Sequence, residues 1–69
     1  MAVEKSIDLT ATGATLDDAV GSAIHRASLT LKGLTSFQVE RIEGTIEDGE
    51  AVYKVLVRIW FVIKEKMHE

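Results

Sequence analysis

The stretch Ala51–Glu65 is a strand that is apolar on one face and only half polar on the other. At period two, one face carries Ala51, Tyr53, Val55, Val57, Ile59, Phe61 and Ile63. The other carries Val52, Lys54, Leu56, Arg58, Trp60, Val62 and Lys64. A strand with a core on one side and water on the other alternates cleanly. Here Leu56, Trp60 and Val62 stand where water should be. A chain of 69 residues has too few elements to cover both sides of a sheet. The second face therefore needs cover from outside the protomer, and another copy of the chain is the simplest source.

Size points the same way. A domain this small buries only about 60% of its unfolded surface, and a core of this size is rarely worth more than about 3–5 kcal/mol. Disulfides, a metal or oligomerisation are the usual supplements. The sequence has no cysteine, which excludes disulfides and thiolate zinc sites. Its two histidines, His25 and His68, are too far apart in sequence to form a local ligand pair. Oligomerisation remains.

The formal charge of −3 leaves no basic footprint for nucleic acid. The longest apolar run, Ile59–Ile63, is far too short for a membrane span. Met1–Lys5 lacks the charged and apolar regions of a signal peptide. The expectation is one cytoplasmic domain over residues 1–69, with neither nucleic acid nor membrane as a partner.

Alternation of Val3, Lys5, Ile7 and Leu9 with Glu4, Ser6, Asp8 and Thr10 predicts a first strand over residues 3–11. Lys5 is the one misfit on its apolar face. Thr12-Gly13-Ala14 breaks the pattern, and Thr15 reads as a helix N-cap with Asp18 at the third helical position. Asp17 and Asp18 also sit well at the positive end of the helix dipole. Leu16, Ala19, Val20, Ala23, Ile24, Ala27 and Leu31 then recur at helical spacing. With Gly33 taken as the residue past the helix end, the helix covers residues 16–32.

The second strand runs from Thr35 to Glu47, and Asp48-Gly49 is a two-residue hairpin signal of type I′. That turn sets Ile46 opposite Ala51 and Ile42 opposite Val55, all on the core side. Phe37 and Val39 have the opposite parity from Ile42 and Ile46, so one extra residue is required around Glu40–Arg41. With that β-bulge, Phe37 faces Ile59, Val39 faces Val57 and Ser36 faces Trp60. The order β-α-β-β, with a right-handed crossover, makes an α+β fold. Three antiparallel strands pack on one helix, the third strand lying between the first and the second.

This pattern resembles the dodecins, small bacterial and archaeal flavoproteins with the same order of elements. The resemblance rests on Arg26-Ala27, Thr30-Leu31, Leu34, Phe37, Val39, Gly44-Thr45, Tyr53, Val55 and Phe61. These keep nearly the family spacing over most of the chain, with about one residue missing before the helix and one in the hairpin. The resemblance implies a hollow homododecamer that binds and stores a flavin (FMN, FAD or riboflavin). It also implies a flavin-stacking Trp before the Phe of the second strand, where this chain has Ser36 before Phe37. The family's flavin-bonding Gln follows the aromatic of the third strand, where Lys54 follows Tyr53. Ordinary flavin binding is therefore expected to be weakened or lost.

Trp60 stands before Phe61, where dodecins usually carry a small residue. The large aromatic and the small residue have exchanged strands. Trp60 is either a re-sited stacking platform for a planar ligand or a volume replacement that packs on a neighbouring subunit. Ser36, Phe37, Gln38, Lys54, Arg58 and Trp60 are the candidate ligand residues. Lys54 also lies opposite Glu43, and Gln38 opposite Arg58, so cross-strand pairing is a competing role for both long cations.

Glu43, Glu47, Asp48 and Glu50 crowd the hairpin tip. They are the candidate ligands for calcium in a structural or cation-binding oligomer without an organic ligand, as in some dodecin relatives. They lack the fixed spacing of an EF-hand and also read as a solvated turn. His25, beside Gly21, Ser22 and Leu29 on the helix, has no partner that would make it catalytic. The chain shows no acid–base pair, nucleophile elbow or phosphate-cradling loop. The expectation is a binding protein, not an enzyme.

Overall fold

The Asp48-Gly49 turn sets the register of the hairpin that it closes. Both residues have positive φ, 52° and 79°, which is the type I′ geometry expected of this pair. The computed structural model describes residues 2–64. The predicted strand end at Glu65, the predicted frayed tail Lys66–Glu69 and His68 lie outside them. The elements are β1 (Ala2–Gly13), α1 (Leu16–Ser28), β2 (Leu34–Glu47) and β3 (Glu50–Lys64). The strands lie in the order β1-β3-β2, each pair antiparallel. This is the predicted α+β fold.

The hairpin follows the predicted register. Glu47 pairs with Glu50, Ile46 with Ala51 and Ile42 with Val55 up to a shift between Val39 and Arg41. Beyond that bulge Val39 pairs with Val57, Phe37 with Ile59 and Ser36 with Trp60. A second irregularity, between Leu34 and Ser36, was not predicted. There the Thr35 hydroxyl donates to the Trp60 carbonyl at 3.3 Å, tying the unpaired residue to the central strand.

Helix α1 begins as predicted, with the Asp18 amide donating to Thr15 Oγ1 at 3.0 Å. It ends at Ser28, four residues before the predicted end at Lys32. The last turn tightens, with the Leu29 amide bonded to Arg26 O and the Thr30 amide to Ala27 O. The cause is the sheet. Gly33, at φ 77°, turns the chain so that its carbonyl accepts from the Val62 amide at 3.1 Å. A Cβ there would lie 3.0 Å from Val62 O, so the glycine serves the entry to β2 rather than the helix cap.

Ala19, Ala23 and Ala27, each one helical turn apart, are buried against Val55, Val57 and Ile59. Small side chains let the helix lie close on the central strand. Leu16, predicted within the apolar stripe, is exposed at the helix start. Ile42 and Ile46 have the predicted core-side parity but are 53% and 81% exposed. The reason is length. Thirteen helical residues span about 20 Å at about 1.5 Å each, whereas the fifteen of β3 span about 50 Å. The hairpin arm overhangs the helix in a body of 60 × 19 × 12 Å, and its apolar side has no cover from α1.

Candidate functional site

Successive residues of β3 point to opposite faces, so the buried Ile59 and Phe61 place Trp60 on the face away from the helix. Its cross-strand neighbours are Ser6 on β1 and Ser36 on β2. Two small side chains thus flank one large ring. The next row along the same face holds Asp8, Arg58 and Gln38. A shallow depression of about 380 Å³ is lined by Glu4, Ser36, Phe37, Gln38 and Trp60. Trp60 is only half-buried in the single chain.

The candidate ligand residues do not all meet. Ser36, Gln38 and Trp60 share the non-helix face. Phe37 touches the depression, but its register position is on the helix side, opposite Ile59. There it borders a second dip of about 170 Å³ with Ile24, Leu34 and Ile59. Lys54 lies six residues along β3 from Trp60, a separation of about 20 Å. It lines a depression at the hairpin end with Thr12, Glu43 and Glu47. Within one chain, Lys54 and Trp60 cannot hold the same small ligand.

Arg58 keeps the predicted register but takes other side-chain partners. Its register partner on β2 is Gln38, yet its guanidinium reaches the other edge of the sheet. Arg58 Nε donates to Asp8 Oδ1 at 2.9 Å and Nη2 to Asp8 Oδ2 at 3.2 Å. Nη1 lies 4.0 Å from Glu40 Oε2, in the bulge of β2. One cation therefore links all three strands. Lys54 does stand opposite Glu43 in the register, but the ion pairs found among the described residues all belong to Arg58. The predicted Lys54–Glu43 ion pair does not form. Asp8, which sequence reasoning missed, reads in the sequence only as a polar residue on the non-helix face of β1, and its pairing with Arg58 depends on the β1–β3 register.

The Arg58 hydrogen bond and charge hold the Asp8 carboxyl below its ordinary 3.8, and the same bond raises Arg58. A depressed carboxylate stabilises the fold above its unfolded pKa and loses that contribution as pH falls through the folded value. Melting curves of the wild type and Asp8→Asn should therefore differ above pH 3.8 and converge on acidification. The difference should be small, because both side chains are about two-fifths exposed and screened by solvent. Thermal melts read by circular dichroism from pH 2 to pH 7 check this, and a gap that widens in acid would contradict it.

At the hairpin tip the acidic residues stay dispersed. Glu43 and Glu47 line the depression beside Lys54, while Asp48 and Glu50 occupy the turn itself or its flank. Among the described residues no three carboxylate or imidazole groups gather closely enough to hold a metal. His25 borders an open groove between α1 and β1 with Leu9, Arg26 and Leu29. No described helix is long and apolar enough to cross a membrane.

A family model described as dodecin matches residues 3–64. Among solved structures, an arginine-to-alanine variant of Thermus thermophilus dodecin is similar at 32% identity and a TM-score of 0.89. The match covers 96% of this chain and 100% of that one. Dodecin from Streptomyces coelicolor is 31% identical, with a TM-score of 0.85 over 94% of this chain and 96% of its own. The calcium dodecin of Mycobacterium tuberculosis, described as calcium-chelating, is 19% identical with a TM-score of 0.77. That match covers 97% of this chain and 99% of the other, and at such identity the likeness is one of fold. No curated protein matches the chain.

Proposed function

The chain belongs to the dodecin family, and from that premise we propose that it is a binding and storage protein for a small planar ligand. The protomers assemble into a closed homododecamer in the cytoplasm, with no catalytic role. The ligand stacks on one face of the Trp60 indole, whose other face packs on a neighbouring copy, and flavin binding in the family's usual manner is weakened. The observation that carries this reading is the position of Trp60, half-buried between Ser6 and Ser36 on the sheet face away from the helix.

The residues fit a flavin in part. An isoalloxazine, when bound, supplies a planar π-face and a polar edge. Trp60 offers the matching face, and the small flanking serines leave room beside the ring. Gln38 offers an amide in the next row. The family's own stacking position holds Ser36, and its amide position holds Lys54, about 20 Å away along the strand. A single aromatic stack contributes about 0.5–1.5 kcal/mol beyond its area burial, so moving it changes affinity by about twofold to tenfold. Calcium at Glu43, Glu47, Asp48 and Glu50 is the less supported reading, because one chain does not bring three of these groups together.

The sequence contains one Trp, so tryptophan emission, excited selectively over that of Tyr53, reports Trp60 alone. Riboflavin added to the assembled protein should quench that emission saturably, with flavin fluorescence falling in parallel. Trp60→Leu keeps apolar bulk but removes the π-face, and should weaken riboflavin binding about tenfold. Riboflavin binding unchanged in that variant, or no saturable quenching in the wild type, would sink the proposal.

A further inference from the structure

We infer that the hairpin tip of one copy docks in the groove between α1 and β1 of the next copy, with Ile46 as its apolar anchor. The inference rests on the homo-oligomer proposed above. Its first support is the arm itself. The last residue of β1, Gly13, pairs with Tyr53, so from Thr45 to Val52 the sheet is only two strands wide. A hairpin of that kind is marginal in water unless one face is packed. Its helix-side face carries Ile46 opposite Ala51, beyond the reach of α1, and Ile46 is 81% exposed. The protomer thus holds an apolar tip that it cannot cover.

The second support is the match between this tip and the groove. Leu9, Ala11 and Leu29 give the groove apolar walls, and Leu29 is 63% exposed. Its volume of about 750 Å³ has room for more than one side chain. His25 and Arg26 stand exposed along it, and its described lining contains no carboxylate. The tip is of the opposite charge, with Glu47 and Glu50 paired across the strands and Asp48 in the turn. An arm-on-arm contact would cover the same isoleucine but bring two sets of these carboxylates together. The groove sets them beside a guanidinium instead. Leu29 lines the groove beside Leu9, which pairs with Val57, whereas Ile46 pairs with Ala51. Those two positions on β3 are about 20 Å apart, so the tip cannot reach the groove of its own chain. Each copy gives a tip and receives one, a head-to-tail contact that closes when the rotation between copies completes a ring.

The sequence has no cysteine, so introduced thiols report this contact alone. Leu29→Cys/Ile46→Cys, treated at micromolar protein with a short bismaleimide, should give a ladder of covalently linked multimers on denaturing gels. Either single variant should stay unlinked. Both side chains are exposed, so the protomer should keep its helical circular dichroism. Arg26→Glu, and separately Glu47→Lys/Glu50→Lys, should each raise the midpoint of assembly on dilution about threefold to tenfold at low salt. The three substitutions together should return it toward the wild type, because both signs are then reversed. An assembled particle that gives no ladder would overturn the docking while leaving the homo-oligomer in place. Dimers from Ile46→Cys alone would overturn it in favour of arm-on-arm contact. Losses that add in the combined variant would likewise overturn it. A wild type that stays monomeric would remove the homo-oligomer, and the docking with it.

Discussion

Trp60→Ala should break the assembly into smaller species while leaving the helix-side core of each protomer intact. The substitution removes the largest side chain from a face that α1 does not cover, and leaves Ala19, Ala23, Ala27, Val55, Val57 and Ile59 untouched. Truncating a Trp that is buried by a neighbour costs about 3–5 kcal/mol. At about 1.4 kcal/mol per tenfold, the midpoint of assembly should move to concentrations at least a hundredfold higher. Replacement by Gly, the family-like residue, should cost at least as much, since Gly also weakens a strand interior. Adding Ser36→Trp to either variant should recover part of the loss, because that ring projects from the same face one strand away. Light scattering across a dilution series reads the effect. A Trp60→Ala particle as resistant to dilution as the wild type would show that no neighbour covers the indole.

Ile59→Ala, one residue earlier, should unfold the protomer instead. Ile59 is 1% exposed and packs under the alanine face of the helix. Large-to-small changes at such sites cost about 2–5 kcal/mol, against the roughly 3–5 kcal/mol that a core of this size supplies. Helical circular dichroism should therefore disappear at low protein concentration. It should return as concentration rises and association shifts the balance toward the folded form. Two adjacent residues thus give opposite signatures. A folded Ile59→Ala monomer would contradict the division of the sheet into an internal and an external face.

Much of this division is legible in the sequence. Asp48-Gly49 pins one end of the hairpin, and side-chain parity then requires the extra residue near Glu40–Arg41, which the sheet carries between Val39 and Arg41. A period-two pattern gives one right answer when its turn is known. The helix end is a harder case. Gly33 satisfies a helix-stop signal and a strand-entry requirement equally well, and only the bond from the Val62 amide to Gly33 O separates them. The exposure of Ile42 and Ile46 was hidden for another reason. Parity shows which face a residue takes, but coverage depends on how far a short helix reaches along a long strand.

The candidate site divides in the same way. Trp60 opposite Ser36 follows from the hairpin register, which local signals define. The Arg58–Asp8 pair does not, because it joins residues fifty positions apart through the pairing of β1 with β3. Nothing like the Asp48-Gly49 turn sets that register in the sequence, and a β-α-β crossover leaves it to tertiary packing. The distance between Lys54 and Trp60 shows a further limit. Residues carried over one by one from a family pattern need not share a site within one chain, and these two do not.

The claim that everything else depends on is that copies of this chain cover the face bearing Leu56, Trp60 and Val62. Sedimentation velocity at micromolar protein, without added ligand, tests it most directly. A single closed homo-oligomer with helical circular dichroism is the expected result, and twelve protomers would be the family's number. A folded, monodisperse monomer at that concentration would contradict it, because the half-apolar face would then be stable in water by itself.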